Sequence, residues 1–128
     1  MRRSIDIAGL SHLAPIPVAT RVGPLLTCSI TAAYTPGTRD CPESAEAQVA
    51  NLFHHVGEIL RAADCGWQNV AKMTFYSPDP SPLVETLNAA WLAHFPDPAS
   101  RPSRHTMRVD EDWGDLLLCC DFLAFVGE

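Results

Sequence analysis

The stretch Leu116 to Val126 is apolar at every position but one. It follows the polar turn Asp110-Glu111-Asp112-Trp113-Gly114-Asp115 and reads as a final strand. Apolar residues at both parities of a strand require cover on both faces. One face carries Leu117, Cys119, Asp121, Leu123 and Phe125. Asp121 is the exception, because an acid in such a strand is costly unless a hydrogen bond or a charge meets it.

The rest of the chain supplies one of those covers. Val49, Leu52, Phe53, Val56, Ile59, Leu60 and Ala63 recur at the spacing of one buried helical stripe. Ser44 can cap the start of that helix, and Glu46 lies in its first turn, where the dipole favours an anion. Gly66, just past the end, is a candidate for the left-handed position that closes many helices. Leu83, Leu87, Trp91 and Phe95 mark a second helix, with Ala90 between them, Ser81 as a potential cap and Pro82 at the first helical position. Strands are expected at Ser4–Ile7, Val18–Val22, Leu25–Ile30, Val70–Tyr76 and Ser103–Val109, with a loop over Ala32–Cys41.

These elements give an α+β domain over residues 1–128, in the order β-β-β-α-β-α-β-β, with a mixed six-stranded sheet and two helices on one face. So short a chain has nothing left for the other face. Copies of itself are the expected cover, which makes a homo-oligomer.

Charge narrows the partners. The net charge is −6, and Lys72 is the single lysine. A phosphate-backbone binder draws its affinity from clustered Lys and Arg, so nucleic acid is not expected. Membrane spanning is not expected either, since no apolar run reaches roughly 20 residues. Five cysteines without a C-x-x-C pair suggest free thiols in the cytoplasm, and no cofactor is signalled. No second His or Cys stands at i+4 of His54 or His55, so no metal site is expected.

Pro102-Ser103-Arg104-His105-Thr106-Met107 brings in chemistry. A guanidinium just after a Pro-Ser turn is aimed by the strand that follows. Its two parallel N–H donors match the two oxygens of a small carboxylate.

Several segments resemble the RidA (YjgF) superfamily: Val22 to Ser29, Gln48, Val70 to Tyr76, Leu87-Asn88-Ala89-Ala90-Trp91 with Phe95, and Pro102 to Thr106, which is similar to a Pro-Ala-Arg-Ser/Thr motif. The resemblance implies a chorismate-mutase-like fold of the bacillus type, assembled as a homotrimer with sites in clefts between subunits. It implies hydrolysis of reactive 2-imino or 2-enamino acids to 2-oxo acids and ammonia. Arg104 would bind the substrate carboxylate, and Ser29 and Asn88 would line or support the cleft.

The same resemblance exposes departures. Cys119 stands where the deaminating branch places a water-holding glutamate, and Asp121 replaces a second glutamate. Ile16 takes the place of a loop tyrosine, and Ile30 that of a glycine. A thiol orients water less firmly than a carboxylate does, so Asp121 or Glu111 would have to replace the missing group. Relatives have also been labelled endoribonucleases or translation inhibitors, a third reading against which the charge argues, and two readings stand before it. One is a RidA-like deaminase built on Arg104, Asp121 and Cys119. The other is a trimer that binds a metabolite without turnover. Cys119 as a nucleophile would need its pKa lowered by a cationic cleft, whereas burial would raise it.

Overall fold

The computed structural model describes residues 1–127. Its strands are β1 (Arg2–Ile5), β2 (Ala19–Val22), β3 (Leu25–Cys28), β4 (Thr31–Ala32), β5 (Val70–Ser77), β6 (Ser103–Arg108) and β7 (Cys119–Phe125). The helices are α1 (Ala45–Ala62) and α2 (Val84–His94). One sheet runs β1-β2-β3-β7-β5-β6, with β4 paired to β7. The β5–β6 pair is parallel and the other pairs are antiparallel.

The sheet therefore has seven strands where the sequence suggested six. The extra one, β4, lies where the expected third strand ended and the loop began. The chain breaks at Ser29, whose N–H donates to the Val18 carbonyl at 2.9 Å and whose Oγ donates to the Pro17 carbonyl at 2.8 Å. It then resumes pairing two residues later, opposite Cys119 and Cys120. The last strand also starts later than its apolar run. The Leu117 N–H is taken by the Gln48 side chain and the Leu117 carbonyl accepts from Ser77 Oγ, so neither group joins the ladder.

Both helices pack on the same sheet face. Phe53 of α1 stacks at 6.1 Å on Phe75 of β5, and Phe75 meets Trp91 of α2 edge-on at 6.4 Å. Every residue of the two apolar stripes is buried. Ser44 caps α1 as its position suggests, its Oγ accepting from Ala47 N at 3.1 Å. The other end differs from expectation. Asp64, not Gly66, takes the left-handed conformation, with φ of 60°. The Asp64 N–H then donates to the Arg61 carbonyl and that of Cys65 to the Leu60 carbonyl, a Schellman closure. Gly66 is extended. Ser81 caps nothing either, because Ser81–Leu83 forms a 3-10 turn that runs directly into α2.

The opposite face is open within one chain. Residues paired across a sheet share a face, and the register places Val22, Leu25, Leu123 and Phe125 together on it. Leu123 is 44% and Phe125 56% exposed. Tyr76, Met107 and Cys119 lie across the same face.

Candidate functional site

Arg104 is the second residue of β6, level with Met73 of β5, and so points to the helix face. There it crosses α2. Its Cζ lies 5.0 Å from the Trp91 ring centre, within range of a cation–π contact. Its Nη2 donates to Asn88 Oδ1 at 2.6 Å. Trp91 follows Asn88 by three residues, so one turn of helix holds both the plane and one corner of the guanidinium. Among the described residues no other acceptor engages that guanidinium, which leaves donors available for an anion. Partial burial lowers the Arg104 pKa, yet a guanidinium remains charged at any ordinary pH.

Beside Arg104 lies a cavity of about 200 Å³, lined by Phe75, Leu83, Val84, Leu87, Thr106 and Leu118 among others. A second cavity, of about 700 Å³, is closed by the loops before β2 and before α1 and by the turn before β7. It contains Cys119 and Ile30, with His12, Tyr34, His55, Glu111 and Trp113. Its loops touch at glycines: a Cβ on Gly9 would come 2.8 Å from Gly37 Cα. A groove of about 900 Å³ along α1 and α2, lined in part by Glu46, Phe53 and His54, holds none of the candidate site residues Ile16, Ser29, Ile30, Asn88, Arg104, Cys119 and Asp121.

Those residues divide between places. Arg104 and Asn88 meet. Cys119 and Ile30 share the larger cavity. Asp121 lies on the open face, where the Tyr76 hydroxyl donates to its Oδ2 at 2.9 Å. This is the partner that an acid in β7 needs. Burial and that carboxylate together push the Tyr76 pKa up to about 12. Ser29 spends its hydroxyl on the Pro17 carbonyl. Ile16 is 46% exposed and lines neither cavity. Cys119 is 4% exposed, and burial, with Cys41 nearby, pushes its pKa up to about 12. The thiol therefore stays protonated, unlike the thiolate a nucleophile requires.

Three contributors, Trp91, Tyr76 and His55, escape a reading by sequence. Trp91 looks like one more member of a helix stripe, and only the fold lays it under Arg104. Tyr76 is one residue of an ordinary strand. Glu111, by contrast, is the loop carboxylate the sequence offered; it lines the larger cavity, and its Oε2 accepts from Trp113 Nε1 at 3.0 Å. His55 donates its Nε2–H to the Tyr34 carbonyl at 2.7 Å, and burial lowers its pKa.

Residues 10–115 match the family model described as endoribonuclease L-PSP. The chain belongs to this family. It is the superfamily of RidA and YjgF, as the sequence suggested. A curated relative, the RutC family protein slr0709 of Synechocystis sp., is 31% identical over 81 residues, a match covering 63% of this chain and 61% of that relative. The chain thus matches less than two thirds of that relative's length. The YjgF gene product of E. coli superposes with a TM-score of 0.83 at 21% identity, over 96% of this chain and 98% of that one. RidA from Psychrobacter sp. gives 0.84 at 20%, over 97% and 99%. A probable translation initiation inhibitor from Rhodopseudomonas palustris gives 0.88 at 13%, over the full length of both. At these identities the superpositions establish the fold of the L-PSP domain and nothing finer.

Proposed function

We propose that this L-PSP family member is a cytoplasmic homotrimer that binds a small carboxylate metabolite in clefts between subunits and hydrolyses it as a reactive imine. The observation that carries the reading is the Arg104 guanidinium, braced by Asn88 and Trp91 with donors to spare. A carboxylate is the anion that matches a fork of this geometry. Five free cysteines suit a reducing compartment. The apolar residues on the open sheet face, Val22, Leu25, Leu123 and Phe125, are the surface a second and third copy would cover. Because Arg104 and the Cys119 cavity lie apart in one chain, each cleft would draw its guanidinium from one copy and its opposite wall from the next.

In the reaction, water adds to the carbon of a protonated 2-imino acid, R–C(=NH2+)–COO−. One proton moves from the added oxygen to nitrogen, the C–N bond breaks, and the second proton of that oxygen passes to the departing ammonia, giving R–CO–COO− and NH4+. Arg104 fixes the acid end, which supplies the orientation such a reaction needs. Glu111, bonded to Trp113 in the cavity that contains Cys119, would hold the water. Asp121 is engaged by Tyr76 on the open face and supports the wall.

The test is ammonia release from freshly generated 2-iminobutanoate. Wild type should exceed buffer, and Arg104→Ala should fall to the buffer rate. Release no faster than buffer for wild type overturns the catalytic part. A second reading, binding without turnover, is favoured by the buried, protonated Cys119 at the position where a carboxylate would hold water. Under that reading, 2-oxobutanoate raises the melting temperature of wild type and not of Arg104→Ala. Sedimentation equilibrium separately tests the trimer, with Leu123→Asp expected to shift it toward monomer.

A further inference from the structure

We infer that the ligand held at Arg104 carries an apolar side chain of roughly four to seven carbons, seated in the cavity beside that arginine. The inference rests on the proposed carboxylate site and adds what the rest of the ligand must be.

The cavity adjoins the arginine directly, since Arg104 is part of its wall. The remaining wall is apolar where it is deep: Phe75, Leu83, Leu87 and Leu118 are all buried. Arg104 is the single charged residue among those lining it, and Ser77 has committed its hydroxyl to the Leu117 carbonyl. At depth a side chain meets hydrocarbon; the Ser81 and Thr106 hydroxyls lie on exposed residues of the wall, and a charged group would find no opposite charge beyond the arginine already holding the acid. Size sets the other bound. An apolar cavity near 150 Å³ accepts benzene, so about 200 Å³ takes an isobutyl or a benzyl group and leaves a methyl largely surrounded by empty space. The site is therefore shaped for 2-oxo or 2-imino acids with apolar side chains larger than the methyl of 2-oxopropanoate and the ethyl of 2-oxobutanoate.

Val84 offers a way to close the cavity without endangering the fold, because it lines the wall yet is 50% exposed. The experiment is isothermal titration calorimetry of wild type, Val84→Phe and Arg104→Ala with four stable acids: 2-oxopropanoate, 4-methyl-2-oxopentanoate, 2-oxo-3-phenylpropanoate and 2-oxopentanedioate. Each buried methylene is worth about fourfold in affinity. The two large apolar acids should therefore bind at least ~10-fold tighter than 2-oxopropanoate, and 2-oxopentanedioate should gain nothing. Val84→Phe should weaken the two large apolar acids more than 2-oxopropanoate and so erase that gap. Equal affinities for all four acids, or a Val84→Phe loss shared equally by all, overturns the inference and leaves the Arg104 site standing. Binding of none of the acids to wild type, or undiminished binding to Arg104→Ala, removes the carboxylate site and the inference with it.

Discussion

Arg104 and Asn88, 16 residues apart in the chain, are joined by a hydrogen bond of 2.6 Å from guanidinium to amide oxygen. A strand and a helix thus present one cation in one orientation, and an arginine so braced loses little freedom when an anion arrives. Asn88 is itself exposed, so its removal should spare the fold. Asn88→Ala is expected to weaken 2-oxobutanoate binding by about tenfold, the value of one hydrogen bond to a charged group. The melting temperature should hold. Calorimetric titration beside a thermal melt separates the two effects.

Cys119 lines the 700 Å³ cavity, so a longer side chain there has room to turn into open space. Cys119→Glu would restore a carboxylate beside Ile30 and Glu111. Ammonia release from 2-iminobutanoate is expected to rise by at least about tenfold, within the range that a positioned proton acceptor supplies. A rate unchanged in a folded variant would show that water is not handled at this wall.

The pH dependence of stability has an arm on each side of neutrality. Burial raises Cys28 and Cys119 from an ordinary 9.0 to about 12. Between those values the unfolded chain has lost protons that the folded chain keeps, so stability falls as pH climbs from 9 toward 12. His55 works in the opposite sense. Burial lowers its pKa, so below its ordinary 6.5 the unfolded chain takes up a proton that the folded chain refuses, and stability falls as pH drops. Urea midpoints across pH should show both arms. Cys119→Ala should flatten the alkaline one and His55→Gln the acidic one.

Gln48 is fully buried and uses its whole amide. Its Nε2 donates to the Pro42 and Asp115 carbonyls at 2.9 and 2.7 Å, and its Oε1 accepts from Leu117 N at 2.8 Å. Gln48→Ala leaves those backbone groups buried without partners. A loss of roughly 2–4 kcal/mol is expected in urea unfolding. The change should appear in the midpoint and not in the slope.

The stripes of α1 and α2 were legible because burial against a single sheet face imposes one period on each, and their residues stand as the spacing requires. Three boundaries were not legible, for reasons of hydrogen bonding. Ser29 diverts the chain to Val18 and Pro17, Gln48 captures Leu117 before it joins β7, and Asp64 adopts a positive φ that its residue type does not advertise. The site divides in the same way. An arginine after a Pro-Ser turn announces itself, and the acid inside an apolar strand demands a partner. The identity of that partner, Tyr76, and the tryptophan beneath the guanidinium both depend on which residues the register brings level. No local pattern carries that information.

β6 lies at the margin of the sheet and is tied to it by one parallel ladder alone. The residue that would meet the ligand thus rides on an edge strand with a single neighbour, clasped from above by α2. An acid gripping Arg104 would add a second fastening where the bare chain has one, and occupancy would be felt first as a quieting of that outer strand.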